Sequence, residues 1–307
     1  MKPQILVTDS LFIFEEHVQQ MESAGFEVVR LDEPKASEET LIEALKGKTG
    51  YILGGIEDVS EKVVRSARDL KVISFTGAGY TEFVSGHEVA RELGIAITAA
   101  KGANAPAVAE YAITMCLMAT RRISEITNPS GPAFLTTKGA TESTLGVIGY
   151  GDIGRRVAAL GVNMGYSVLV ATRKKIDSLP ANARQVDIDT LVEESDVVSV
   201  HVDKENGTEV LDKNLIEKMR SGSAIVNAAF IHAIDQEAVA ERIKNGELRL
   251  FTDQKLEVEG SFPVGSLVQS NLQSGFNTYQ ALKAVSDQTT NSLLNVLETG
   301  EDDYRVV

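Results

Sequence analysis

Short apolar runs alternate with amphipathic stretches along most of the chain. The run ILVTD, from Ile5 to Asp9, predicts a first strand, residues 14–24 a helix closed by Gly25, and residues 26–31 a second strand. Helices follow over 37–45, 60–68 and 87–93, the first stopped by Gly47, the second capped by Ser60 and the third stopped by Gly94. Strands over 50–53, 71–75 and 95–98 separate and follow them. One long helix is expected over 104–126, with Pro106 in its first turn, where a missing N–H costs nothing. After a loop holding Pro129, Gly131 and Pro132 the alternation resumes from Thr144. It runs through strands at 168–171, 196–201, 224–227 and 248–252 and helices near 189–194, 212–219 and 235–244, ending in a long helix over 278–298 placed to return to the first block. Strands joined by helices of this length form parallel sheets covered on both faces, with ligands at the strands' carboxyl ends. The pattern therefore predicts an α/β chain of two Rossmann-like, doubly wound domains with a cleft between them. It sets LGG, with Gly54 and Gly55, and TGAGY, with Ala78, Gly79 and Tyr80, on one rim as candidate substrate-binding turns.

The segment TLGVIGYGDIGRRVAALGVNMG (144–165) sharpens this picture, reading as strand, tight turn and helix. Gly149 allows the turn, Gly151 lets backbone approach a pyrophosphate, and Gly154 lets the helix pack on the strand, with Tyr150, Asp152 and Ile153 completing a dinucleotide cradle at the helix N-terminus. The next strand ends 18 positions beyond Gly154 at Thr172, where NAD-binding chains usually carry an acidic residue for the ribose hydroxyls. Arg173, Lys174 and Lys175 follow. Loss of the carboxylate and gain of cations favour a 2'-phosphate, so NADP is expected in preference to NAD. His201, Asn227 and Asp253, at or just past later strand ends, complete the candidate coenzyme set.

Composition narrows the field. At 307 residues and 43% hydrophobic content the chain can build two cores. The longest apolar stretch, 105–120, is interrupted by Glu110, and MKPQILVTDS reads as a strand and not as a secretion signal, so a soluble, cytoplasmic protein without a membrane partner is expected. Cys116 is the only cysteine, which excludes an intrachain disulfide; on its apolar stretch it reads as a small core residue. The histidines are His17, His87, His201 and His232, none spaced as a zinc site requires, so no metal is expected. A net charge of −14 disfavours nucleic acid and leaves a small molecule as the expected substrate.

The segments VISFTGAGYTEF, GIAITAAKGANAPAVAEYAI, LGVIGYGDIGRRVA, SDVVSVHVDKENGTEVLDKNLIEKMRSGSAIVNAA and IDQEAVAERIKNGEL together make the chain resemble the D-isomer-specific 2-hydroxyacid dehydrogenases. The resemblance implies hydride transfer with a nicotinamide coenzyme and a homodimer formed through the coenzyme domain. It also implies a coenzyme-binding Rossmann domain over 103–279 inserted into a flavodoxin-like substrate domain of 1–102 and 280–307.

Two departures stand out. The family's substrate-clamping arginine follows Asn-Thr-Ala, whereas here NAAFIHAID puts Phe230 in its place. The family's catalytic histidine precedes the last helix; here NLQSGFNT puts Gln273 there, and no histidine follows His232. The family's catalytic glutamate falls near Glu257 or Glu259. Gln273 donates a hydrogen bond but gives up no proton near neutral pH, which forfeits roughly 10²- to 10⁴-fold in rate, and Phe230 offers an apolar wall where an anion clamp stood. Ordinary 2-keto acid reduction is thereby disfavoured against an imine, an enone or a larger keto compound. The alternative is a catalytically inactive nucleotide-binding sensor or interaction protein. Candidate catalytic groups are Gln273, His232 on the loop after Asn227, and Lys101 as a cation for an anionic substrate.

Overall fold

The computed structural model describes residues 2–8, 13–33, 35–203 and 209–307. Asp9, at the end of the first expected strand, and residues 204–208, within one of the resembling segments, lie outside these. The chain divides into two compact units, residues 1–104 with 278–307, and 105–277.

In the first unit β1 (Gln4–Thr8), α1 (Glu15–Ser23), β2 (Glu27–Leu31), α2 (Glu38–Ala44), β3 (Lys48–Leu53), α3 (Glu61–Ser66), β4 (Val72–Phe75), α4 (His87–Glu92) and β5 (Ala96–Ala99) alternate. The strands form a parallel sheet ordered β2-β1-β3-β4-β5. Because successive strand residues face opposite ways, Leu6, Tyr51 and Ile73 join the core on one face, while Ile5, Ile52 and Val72 join that on the other. The last helix of the chain, Tyr279–Thr299, supplies Leu293 and Val296 to the second core, and the Ser74 hydroxyl donates to its Thr289 carbonyl at 2.9 Å. Side-chain oxygens of Ser37, Ser60 and Thr278 accept the backbone N–H three residues on, which fixes where three helices begin.

The second unit contains α5 (Ala105–Thr120), α6 (Ile123–Ile126), β6 (Thr144–Ile148), α7 (Gly154–Asn163), β7 (Ser167–Ala171), β8 (Ala183–Gln185), α8 (Ile188–Glu194), β9 (Val197–Val200), α9 (Lys213–Lys218), β10 (Ser223–Asn227), α10 (Gln236–Lys244), β11 (Leu248–Thr252) and β12 (Leu267–Gln269). Its parallel sheet runs β12-β11-β10-β9-β6-β7-β8. Growth proceeds outward from β6 to β8, then reverses from β9 to β12, so β6 and β9 flank the switch point at which such sheets bind ligands.

Both units are parallel α/β layers, as the sequence pattern predicts. The long helix expected over 104–126 is instead two: Arg122 adopts a left-handed conformation (φ 49°, ψ 40°), which interrupts the helical ladder between α5 and α6. Its guanidinium is held in that turn by Glu125. The three-residue strands β8 and β12 were not expected, being too short to show a two-residue period. Among the described residues no helix is long and apolar enough to cross a membrane.

Candidate functional site

Each strand around the switch point of the second unit ends in one of the expected coenzyme residues. Gly149 follows β6, Thr172 follows β7, His201 follows β9, Asn227 closes β10 and Asp253 follows β11. The turn after β6 demands its glycines. Gly149 has φ +89°, and a Cβ there would stand 2.2 Å from the His201 carbonyl oxygen; a Cβ on Gly154 would stand 2.0 Å from that of Gly149. Gly151 is different, since a Cβ there would meet nothing within 4 Å: it faces open space, as a backbone that must admit a ligand should. Arg155 N–H donates to the Gly151 carbonyl and begins the α7 ladder, which leaves the amides of the preceding turn without helical acceptors. Asp152 is exposed and paired with Arg155 at 2.7 Å, whereas Tyr150 and Ile153 are partly buried against the core.

Thr172 begins a loop that Gln185 ties down, its side chain donating to the Lys174 carbonyl at 2.8 Å and accepting from Ile176 N–H at 3.0 Å. Arg173, Lys174 and Lys175 are exposed on that loop and make no ion pair among the described residues. His201 is buried, its Nε2 2.7 Å from Ser199 Oγ and its Nδ1 without a hydrogen-bond partner among the described residues. Burial alone pulls its pKa down to about 3, so the ring is neutral at physiological pH. Asn227 is fully buried and shapes the turn after β10, accepting from Ala229 N–H and donating to the Phe230 carbonyl.

Asp253, 5% exposed, ties down the segment that carries Gln273. Its two carboxylate oxygens accept from the backbone N–H of Ser274 at 2.8 Å and of Gly275 at 2.9 Å. A carboxylate receiving two amide donors this way is a strong, charge-assisted anchor, and Gln273, exposed, sits beside it. No feature of the sequence marked this pinning role for Asp253.

Among the described residues no hydrogen bond or ion pair joins His232 to Gln273. His232 is 63% exposed, accepts from Gln236 Nε2 at 3.3 Å and has its Nε2 3.7 Å from a Glu257 carboxylate oxygen. Gln236 also bridges to the Glu257 carboxylate and backbone, so imidazole, amide and carboxylate form one network. Glu257 is thus the glutamate of the 257–259 stretch that meets a histidine, although that histidine lies on the β10 loop. Phe230 is only partly available as a wall, because its ring packs against the hydrophobic core of its own unit. Cys116 is fully buried with its thiol pushed up to about 12 by desolvation, consistent with a core residue.

The first unit gathers its candidates at the carboxyl edge of its own sheet. Gly54 and Gly55 are buried just past β3, with Gly54 N–H donating to Thr8 Oγ1 at 3.3 Å, while Ala78 and Gly79 are exposed past β4. Lys101, past β5, is exposed and makes no ion pair among the described residues; its carbonyl accepts from Gln288. Tyr80 is turned into the core with its ring edge-on to His87 at 5.8 Å. Beside Gly54 lies a buried cluster that no spacing in the chain announces. Tyr51 OH donates to Glu57 Oε1 at 2.8 Å and stands 3.2 Å from Thr8 Oγ1, and burial beside that carboxylate pushes the phenol well above its usual pKa. Glu16, His17 and Asp287 also come within metal-ligating distance of one another, yet the Lys283 ammonium already bonds both carboxylates, at 2.6 and 3.0 Å.

Residues 113–259 match the family model described as D-isomer specific 2-hydroxyacid dehydrogenase, NAD binding domain. The chain is 32% identical over 208 residues to a hydroxypyruvate reductase of Thermotoga maritima, the match covering 66% of this chain and 67% of that one. It is 29% identical over 224 residues to a glyoxylate reductase of Thermofilum pendens, covering 68% and 65% respectively. A structure of Escherichia coli D-lactate dehydrogenase superposes with a TM-score of 0.79 at 26% identity, covering 99% of this chain and all of that one. With the glycine turn, the switch-point sheet and these relatives in agreement, the chain belongs to the D-isomer specific 2-hydroxyacid dehydrogenases, a family of NAD(P)-dependent oxidoreductases.

Proposed function

We propose that the chain is an NADP-linked reductase with an altered reaction site, acting on an imine, an enone or a keto compound larger than a simple 2-keto acid. The observation that carries this reading is the pair of positions where Phe230 and Gln273 stand in place of the family's arginine and histidine. A site without the guanidinium fork has no strong grip on a small carboxylate, and one without an acidic hydrogen favours substrates whose product needs no concerted proton.

The glycine turn and the free amides at the start of α7 would hold the pyrophosphate of the coenzyme. Thr172 with Arg173 and Lys174 would hold a 2'-phosphate, and support for NADP comes from these cations being exposed and unpaired among the described residues. When bound, the nicotinamide supplies or takes up hydride. The chain's own part is to orient and to handle charge: Asp253 fixes the segment of Gln273, Gln273 offers an amide hydrogen, Lys101 offers a positive charge to an anionic substrate, and His232 is the one imidazole at the surface of the second unit's candidates. Gly54, Gly55, Ala78 and Gly79 would form the substrate-side turns, with the first unit as the substrate domain and a homodimer as the working assembly.

The test follows NADPH absorbance with the full chain against keto acids, imines and enones. Turnover confined to the latter two or to bulky ketones is expected, with Arg173→Ala weakening NADPH about tenfold and leaving NADH unchanged. The double change Phe230→Arg with Gln273→His should restore glyoxylate or pyruvate reduction. Brisk reduction of pyruvate by the unaltered chain refutes the proposal. A second reading, a nucleotide-binding protein without catalysis, is favoured by the inability of Gln273 to release a proton; tight NADPH binding with no turnover across the panel would establish it.

A further inference from the structure

The amino edge of the second unit's sheet, opposite the glycine turn, is cationic in an acidic chain. A cavity of about 320 Å³ opens there, beside the starts of β6, β9, β10 and β11. Four cations line it, Arg122, Lys138, Arg220 and Arg249, against one carboxylate, Asp196. Lys138 pairs with Asp196 at 2.8 Å, and Arg122 pairs with Glu125 just behind the wall. Arg220 and Arg249 are left in excess. The Nε of Arg220 donates to the Glu193 carbonyl at 2.8 Å and the residue has no carboxylate partner among those described. Arg249, with its side chain only 12% exposed, donates to the Ala119 and Gly222 carbonyls, and Glu125 stands 3.9 Å away. Carbonyl partners satisfy donors but cancel no charge, so four positive and two negative groups leave an excess of two.

A positive excess in a concave site draws anions toward it, and the charge least screened by water is that of Arg249, while Arg220 and Lys138 stand exposed at the mouth. The lining donors also come from separate segments. Lys138 and Thr136 come from the loop before β6, Arg220 and Ser221 from the turn before β10, and Arg249 from β11; the hydroxyls of Thr136 and Ser221 have no partner among the described residues. Donors arriving from three directions suit a tetrahedral anion with three or four acceptor oxygens better than a planar carboxylate.

We propose that this cavity binds a small dianionic oxyanion, a phosphate or the phosphoryl group of a small phosphate ester, through Arg220, Arg249 and Lys138. The site is distinct from the candidate coenzyme site, which lies at the other ends of the same strands, about 16 Å away for five residues of extended chain. It is independent of the activity proposed above.

The test measures thermal unfolding of the full chain while sodium phosphate replaces chloride at constant ionic strength, with the unaltered chain, Arg220→Gln and Arg173→Ala in parallel. A rise that is logarithmic in phosphate above the dissociation constant, reaching roughly 5 °C at about 100 times that constant, is expected for the unaltered chain. Arg173→Ala should retain it, and Arg220→Gln should weaken the apparent affinity at least tenfold. Calorimetric titration with glycerol phosphate then separates the sources: tighter binding than inorganic phosphate identifies an ester as the occupant, and equal or weaker binding identifies the free ion. No response overturns the proposal. So does a rise linear in phosphate and shared by all three chains, the mark of general salt exclusion, or a response lost in Arg173→Ala and kept in Arg220→Gln, which would put the anion at the coenzyme turn.

Discussion

Replacing Asp253 by Asn should free the segment that carries Gln273 while leaving the sheet intact. The native carboxylate accepts two backbone N–H groups, from Ser274 and Gly275, at 2.8 and 2.9 Å in a position that is 5% exposed. An amide of the same shape keeps one acceptor and turns an NH₂ toward the other N–H, so one bond is replaced by two opposed donors. Hydrogen bonds to a charged group contribute about 1.5–3 kcal/mol, and a buried donor left without an acceptor costs about 1–3 kcal/mol. Together these give about 3–5 kcal/mol, confined to the loop. Local opening on that scale should speed amide exchange of Ser274 and Gly275 at least a hundredfold, while amides of β6 and β10 stay protected. Peptide-resolved hydrogen–deuterium exchange reads both regions in one experiment. Unchanged protection at 274 and 275 in a folded Asp253→Asn chain would refute the anchoring role, and with it the argument for how Gln273 is positioned.

Three further outcomes follow from the same geometry. His201 has a folded pKa near 3 against an ordinary 6.5, so the unfolded chain binds the extra proton and stability falls as pH drops below about 6.5 toward 3; between pH 7.5 and 5.5 the native chain should lose about 1.4 kcal/mol more than His201→Gln in denaturant titrations. Gly154→Ala puts a methyl 2.0 Å from the Gly149 carbonyl, so a loss of about 1–3 kcal/mol in stability and at least tenfold in affinity for the reduced nicotinamide coenzyme by fluorescence titration is expected. Cys116, buried with its thiol near 12, should resist a chromogenic disulfide reagent at pH 8 in the native chain and react at once in denaturant, whereas prompt native labelling would contradict its burial.

What could be read from the chain beforehand followed the strength of the local signal. The glycine turn was legible because three spacings, a preceding apolar strand and a following helix all had to coincide, and the structure shows the steric demand at Gly149 and Gly154. Parallel layering was legible because apolar runs and amphipathic helices alternate with few interruptions. The break at Arg122 was not, since no glycine or proline marks it and the left-handed turn is held by the side-chain pair with Glu125. Tertiary polar relations were equally silent: the grip of Asp253 on 274 and 275, the meeting of His232 with Glu257, and the burial of Glu57 beneath Tyr51 join residues by folding and not by spacing.

The first unit is split in sequence, and this orders events on the ribosome. Its sheet needs Leu293 and Val296 from the last helix to close one core, and the Val306 N–H bonds back to the Ile97 carbonyl on β5. Residues 105–277 are contiguous and can finish folding as they emerge, whereas the five-stranded layer translated before them must wait, one flank bare, until residues 278–307 arrive. A nascent chain stalled before residue 278 should therefore hold a mature dinucleotide unit tethered to a layer that chaperones still recognise.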